Sequence, residues 1–190
     1  MPDPSQDWIL VDRVKAGDDS AFDALMLQYR RPILRFVFRI VGDAAEAEDL
    51  GQEVFVRAYR AMRKPAFRQT GVSFSAWIFQ IARNAARDLL RLRHRHPADS
   101  LSVMEDDGAS LPATGPTTPA EVTSNDVRHQ IAAAVARLPE DQRTAFVLSE
   151  YEDQSTAVIA AVMHCSTKAV EARLYRARHI LRHQLAHLLQ

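Results

Sequence analysis

Near the C-terminus, Lys168, Glu171, Arg173, Tyr175, Arg176 and Arg178 are threaded between Val170, Leu174, Ala177 and Leu181, which recur at helical spacing. The four apolar residues form one buried stripe, and the same spacing turns Lys168, Glu171, Tyr175, Arg176 and His179 outward. The chemistry of such a face is recognition of nucleic acid. Cations attract phosphate, arginine pairs bidentately with guanine, and a carboxylate accepts from cytosine N4. Ser166 stands at the N-cap of this helix, and Ser155 caps an apolar segment running to Met163 that serves as a supporting helix. Only His164 and Cys165 remain for the turn between them. Two helices joined so tightly let the second enter a major groove.

A second constellation lies in Glu46-Ala-Glu-Asp-Leu-Gly-Gln-Glu-Val-Phe55. Asp49, Gln52 and Glu53 are three and four residues apart and share a helix face. Such a row accepts hydrogen bonds from the Arg or Lys of a partner, while Leu50 and Phe55 supply apolar contact. It is a poor catalytic pair, since no His, Ser or metal-ligand partner stands near. Acids at a helix N-terminus also complement the dipole without further purpose.

These positions require helices throughout. Strand signals are almost absent, so the chain is expected to be all-α. A short helix spans Asp7 to Ala16. A long one spans about Asp19 to Val41, and Pro32 should bend or split it. Gly42 ends it and Asp43 caps the next, which runs to about Lys64. Pro65 to Ser73 forms a loop, and Phe74 to Arg95 a helix with one apolar and one basic side. Pro97 to Asn125 collects Pro, Ser, Thr, Gly and acids without periodicity, as a linker does. Four more helices follow, at about Asp126 to Leu138, Glu140 to Tyr151, Thr156 to Met163, and Thr167 to the end. Two small helical domains, 1–96 and 126–190, joined by an acidic flexible linker over 97–125, are therefore expected.

At 190 residues, 47% of them hydrophobic, the chain has enough apolar material for a core. Its 24 basic and 24 acidic residues cancel, but their distribution is uneven. Arg57 to Arg68 holds five basic residues and no acid; Ala98 to Asp126 holds six acids and no Lys or Arg. Ser166 to Gln190 holds five Lys or Arg against one Glu. Blocks of opposite sign suggest separate surfaces with separate partners. Cys165 is the single cysteine, which excludes an intramolecular disulfide and argues against a thiolate metal site. The N-terminus lacks a signal-peptide pattern and no apolar run reaches membrane-spanning length, so no membrane insertion and a cytoplasmic location are expected.

The order of the signals carries more than any one of them. Asp-Leu-x-Gln-Glu-x-Phe at 49–55 is followed by a basic stretch and by Phe-Ser-x-Trp-Ile-x-x-Ile-Ala-Arg-Asn at 74–84. After the acidic linker come Leu-Pro-x-x-x-Arg at 138–143 and a helix-turn-helix ending Arg-Leu-Tyr-Arg-Ala-Arg at 173–178. From about Asp12 to Leu185 this resembles a bacterial RNA polymerase sigma factor of the extracytoplasmic-function group of the sigma-70 family.

The resemblance implies that the first domain is sigma region 2 and the second sigma region 4. Asp49, Leu50, Gln52, Glu53 and Phe55 then meet the β-prime clamp helices of core RNA polymerase, and the β flap is a further contact. The loop with Phe67, Arg68, Gln69 and Thr70 forms the pocket that captures bases of the −10 element. Arg83, Arg87 and Arg91, at four-residue spacing, form a phosphate-facing row, and Asn84 is a base contact. Capturing an opened strand needs such a pocket and such cations. Trp77, inside an apolar stripe, is expected in the core.

Region 4 would read the −35 element with Lys168, Glu171, Arg173, Tyr175 and Arg176, Arg178 lying on phosphate. Two departures from the family pattern stand out: Glu171 replaces a common basic residue, and His164-Cys165 replaces glycine and an aliphatic residue in the turn. The linker is either a solvated tether or, as in the family, an acidic strand lying in a channel made for nucleic acid.

Family membership further implies promoter DNA as ligand, stress-responsive target genes, and an anti-sigma factor, typically membrane-tethered, as inhibitor. No catalysis, cofactor or metal is expected. A stand-alone helix-turn-helix regulator is the alternative, but it leaves the Asp49 row and the Trp77 to Arg91 helix without a role. An all-helical enzyme would need a nucleophile-base or metal constellation that the sequence does not offer.

Overall fold

The structure, a computed structural model, describes residues 4–68, 71–95 and 119–189. Most of the expected linker, and Gln69 and Thr70, lie outside the described residues. Those described form eight α-helices, no strand, and a 3-10 turn at Ala186–Leu189. In chain order the helices are α1 Pro4–Lys15, α2 Asp19–Val41, α3 Ala44–Met62, α4 Phe74–Arg95, α5 Pro119–Ala136, α6 Glu140–Glu150, α7 Thr156–Met163 and α8 Thr167–Gln184.

The breaks follow local chemistry. Asp18 caps α2, its carboxylate accepting the Ser20 N–H at 3.1 Å. Gly42 ends α2 in the left-handed region, at φ 83°, and its N–H reaches the Phe38 carbonyl at 2.8 Å. Asp43 then caps α3 by accepting the Glu46 N–H at 2.8 Å. Of the bend or split expected at Pro32, the split does not occur: the helix runs unbroken through it. Tyr29, Ile33, Phe36 and Val37 are buried on both sides of the proline. That shared packing outweighs the roughly 3 kcal/mol an interior proline costs. The helix after the linker also begins earlier than expected, at Pro119 rather than near Asp126. Proline at the first helical position gives up an N–H that would have no partner there.

The core of the first half lies where α2, α3 and α4 meet. Phe36 and Phe79 are fully buried and pack edge to face, centroids 5.5 Å apart. Helix α1 closes one side with Trp8, Val11 and Val14. Its Asp7 is 2% exposed and accepts the Tyr29 hydroxyl at 2.6 Å and the Gln28 amide at 2.9 Å. Burial first, and the Asp7 carboxylate second, hold the Tyr29 phenol well above its ordinary range. In the second half Leu148, Ile159, Val162, Val170 and Ala177 form the core of α6, α7 and α8.

The halves do not stand apart. Helix α4 packs on α2 and α3 with one side and on α7 with another, and α2 also meets α5 and α6. Removing the acceptor at Asp7 leaves the Tyr29 hydroxyl buried without its partner. Asp7→Ala should therefore lower unfolding stability by about 1–3 kcal/mol, read in a denaturant titration, with the α-helical signal of the native state preserved.

Candidate functional site

The acidic row sits on the first half of α3, where the Asp43 cap fixes the helix start and hence the direction of each side chain. Asp49, Gln52 and Glu53 are exposed and Leu50 is half-buried. Glu53 is paired with Arg57 one turn on, at 2.7 Å. Phe55 is 7% exposed, its ring packed edge-on against Phe22, so it meets this surface only as part of the groove lining. Position 55 falls on the α2 side of α3, together with the buried Val54 and Ala58. The exposed apolar residue is its neighbour Val56, 46% exposed, which sequence reasoning missed. Beside the row, α2 and α3 frame an apolar groove of about 570 Å³. Phe22, Met26, Leu34, Phe55, Val56 and Tyr59 line it, together with charged Asp23, Arg30 and Glu48. An exposed carboxylate row along an apolar groove suits a basic amphipathic helix.

The loop after α3 is organised by aromatic stacking. The Phe67 ring lies 5.1 Å from Trp77 and 6.3 Å from Trp8, which leaves Phe67 half-buried. Arg68 is exposed and its guanidinium bonds back to the Pro65 and Phe67 carbonyls, at 2.5 and 3.0 Å. Trp77 is half-buried, packing on the core through Phe74 at 5.5 Å.

Along α4 the row of arginines is not the uniform solvent-facing series that four-residue spacing suggested. Arg83 is 7% exposed and donates to Asp141 of α6 at 3.2 Å. Arg87 is half-buried, with Glu140 3.2 Å from its Nε. Asn84 and Arg91 are exposed. The drift of a 3.6-residue helix carries 83 and 87 toward the second half and leaves 84 and 91 in solvent.

In the second half, the Ser155 hydroxyl accepts the Val158 N–H and the Ser166 hydroxyl the Ala169 N–H, capping α7 and α8 at 3.3 and 3.2 Å. His164 takes the left-handed conformation at φ 51°, ψ 48°, and the Cys165 N–H closes the turn onto the Ala160 carbonyl at 3.0 Å. A non-glycine residue there carries strain, but the helix-ending turn forms all the same. The His164 ring meets the Gln80 side chain of α4. Helix α8 buries Val170, Leu174, Ala177 and Leu181. Lys168, Glu171, Tyr175, Arg176, Arg178 and His179 are exposed, Tyr175 by 73%. Arg178 pairs with Glu150 at 2.6 Å. Arg173 is half-buried and turned inward, donating to Asp141 at 3.2 Å and lying 3.2 Å from the Cys165 sulfur.

The carboxylates joining the halves escaped sequence reasoning. Besides Glu140 and Asp141, Glu152 is buried and accepts Arg35 of α2 at 2.8 Å, and Arg39 stacks 3.9 Å over the Tyr151 ring. Burial pushes the Glu152 carboxyl up, against the pull of Arg35. Acids in the first turn or just past the end of a helix look in sequence like ordinary dipole and turn residues.

A helix-turn-helix with Lys168 and Arg176 exposed on its second helix, joined to a helical bundle with an exposed acidic row, has the form of a transcription factor. Its family is shown by comparison. Residues 25–96 match Sigma-70 region 2 and residues 128–181 match Sigma-70 region 4. The chain is 38% identical over 191 residues to the RNA polymerase sigma-H factor of Pseudomonas aeruginosa, covering 97% of this chain and 96% of that one. It is 31% identical over 196 residues to the ECF RNA polymerase sigma-E factor of Escherichia coli, covering all of both. Among solved structures it resembles CnrH in complex with the cytosolic domain of CnrY, with TM-score 0.70, 25% identity, and 95% and 97% of the two chains covered. It also resembles the sigma factor RpoE in complex with the anti-sigma factor NepR from Bartonella quintana, with TM-score 0.68, 26% identity, and 87% and 96% covered. The chain belongs to the extracytoplasmic-function group of the sigma-70 family, and is an alternative sigma factor rather than a stand-alone helix-turn-helix regulator.

Proposed function

We propose that this chain works in the cytoplasm without catalysis of its own, by bringing core RNA polymerase to stress-responsive promoters. The observation that supports this most directly is the division of labour between α3 and α8. One presents an exposed acceptor row of Asp49, Gln52 and Glu53 beside an apolar groove, and the other an exposed face of Lys168, Glu171, Tyr175 and Arg176. The first surface, with Leu50 and Val56, takes the basic clamp helices of β-prime, and the second half also meets the β flap. The second surface reads the −35 element. The loop with Phe67 and Arg68, the exposed Asn84 and Arg91, and Arg83 and Arg87 once released from the second half, serve the −10 element. Promoter opening is then driven by binding energy.

Inhibition by an anti-sigma factor is part of this reading. It is supported by two solved relatives, one seen with a cytosolic domain and the other with an anti-sigma factor.

The polymerase surface is tested by Asp49→Arg and Glu53→Arg, each of which places a cation against a basic partner helix. Both variants should lose core-enzyme binding in a pull-down while their helical content stays unchanged; core affinity equal to that of the parent contradicts the assignment. On α8, Arg176→Ala should cost about 1–3 kcal/mol at the preferred sequence and flatten selection at one base pair. Arg178→Ala should weaken all sequences alike and reduce the salt dependence, both read by fluorescence anisotropy on matched and scrambled duplexes.

A further inference from the structure

Gly51 stands in the interior of α3, where glycine is among the least favourable of residues. Nothing in the chain itself requires it. Its φ lies outside the left-handed region that favours glycine. Beyond its own stretch of helix, a Cβ here would meet the Leu34 Cδ1 of α2 at 3.8 Å, an ordinary van der Waals contact, and nothing closer. Close approach of α2 is therefore not the reason for the glycine: alanine would fit, and would strengthen the helix.

The missing side chain does have one effect, which is to open the groove between α2 and α3. Gly51 lines that groove between Glu48, a turn before it, and Phe55, a turn after, facing Met26 and Leu34 of α2. A larger residue at 51 would project into the space. The far end is already closed, since the Phe22 and Tyr59 rings pack edge to face, centroids 5.0 Å apart, and the Tyr59 hydroxyl donates to Asp19 at 2.9 Å. We infer that Gly51 is a notch that receives one large apolar side chain of the β-prime clamp helix, and that it thereby sets which helices the groove accepts. The inference rests on the reading that the acidic row meets core polymerase.

Charge and continuity argue for this occupant. The groove runs directly into the acidic row, Glu48 lining it and Asp49 standing next in the chain. Among the described residues Asp23, Glu48 and Asp49 make no ion pair, whereas Glu53 is already held by Arg57. A basic amphipathic helix lying along α3 brings cations to the free carboxylates and an apolar side chain to the notch. A wholly apolar helix would bury those carboxylates without partners. An apolar anchor in a pocket whose rim excludes water is the usual form of an interface hot spot. The chain thus gives up helix stability at one position for the fit of a partner.

The test uses the full chain and core RNA polymerase, with Gly51→Ala, Gly51→Leu and Asp49→Arg. Thermal unfolding is followed by circular dichroism and core affinity by fluorescence titration. Gly51→Ala should raise the unfolding midpoint by about 2–4 °C, as replacing glycine within a helix does, and weaken core binding about twofold to threefold. Gly51→Leu should melt no lower than the parent and bind core about tenfold to a hundredfold more weakly, because it overfills the site. A residue kept for folding alone would not yield a stabler protein that binds worse. Parental affinity in a folded Gly51→Leu variant, with binding lost in Asp49→Arg, overturns the notch and leaves the polymerase surface standing. Parental affinity in both overturns the two together. Midpoints below the parent in both Gly51 variants would show that packing of α3 needs the glycine. A parent chain that sediments as a dimer, and as a monomer with Gly51→Leu, would make a second copy the occupant. Either of these two results overturns the proposal.

Discussion

The structure depends on helix α4 being packed on more than one side. Ile78, Phe79, Ala82, Ala85 and Ala86 bury one side of it in the core with α2 and α3, and another side lies against α7. A helix so placed has little freedom to turn, because any rotation strips apolar area from one neighbour as it adds area to another. The orientation of Asn84 and Arg91 toward solvent, of Arg83 and Arg87 toward α6, and of Gln80 toward the His164 turn all follow. The surfaces of the two halves are therefore coupled through one rigid element.

The coupling is polar where it faces the second half. Partly exposed ion pairs contribute at most about 1 kcal/mol each, so Arg87 with Glu140, each side chain 38% exposed, orients the halves more than it binds them. The pair between Arg35 and Glu152 differs, since the Glu152 side chain is only 1% exposed. Losing Arg35 would leave that carboxylate buried without compensation. One buried pair sets the register, and weaker pairs around it leave room for movement.

Much of this was legible in the sequence, for local reasons. Asp18, Gly42 and Asp43 mark the ends of α2 and the start of α3, because capping and left-handed turns are chemistry of adjacent residues. The stripe Val170, Leu174, Ala177, Leu181 fixes which face of α8 is covered, because its period is that of the helix. What was not legible depends on partners far away in the chain. Arg83 meets Asp141 across 58 positions, and no local pattern separates a phosphate-seeking arginine from one with an internal carboxylate. At Pro32 the sequence leaves a split as open as a bend, because the proline's cost is local while the packing that offsets it comes from other helices. The motif sets Phe55 beside the acidic row as an apolar contact, but how far it is buried depends on Phe22, 33 residues earlier on α2.

A chain that lends two promoter-reading surfaces to polymerase is checked by transcription in vitro from a promoter library, using core enzyme with and without the full chain, and mapping transcript starts. Discrete starts should appear only with the chain, each preceded by two sequence blocks at a constant spacing. Starts no different from those of core enzyme alone, or starts preceded by a single block, would contradict it.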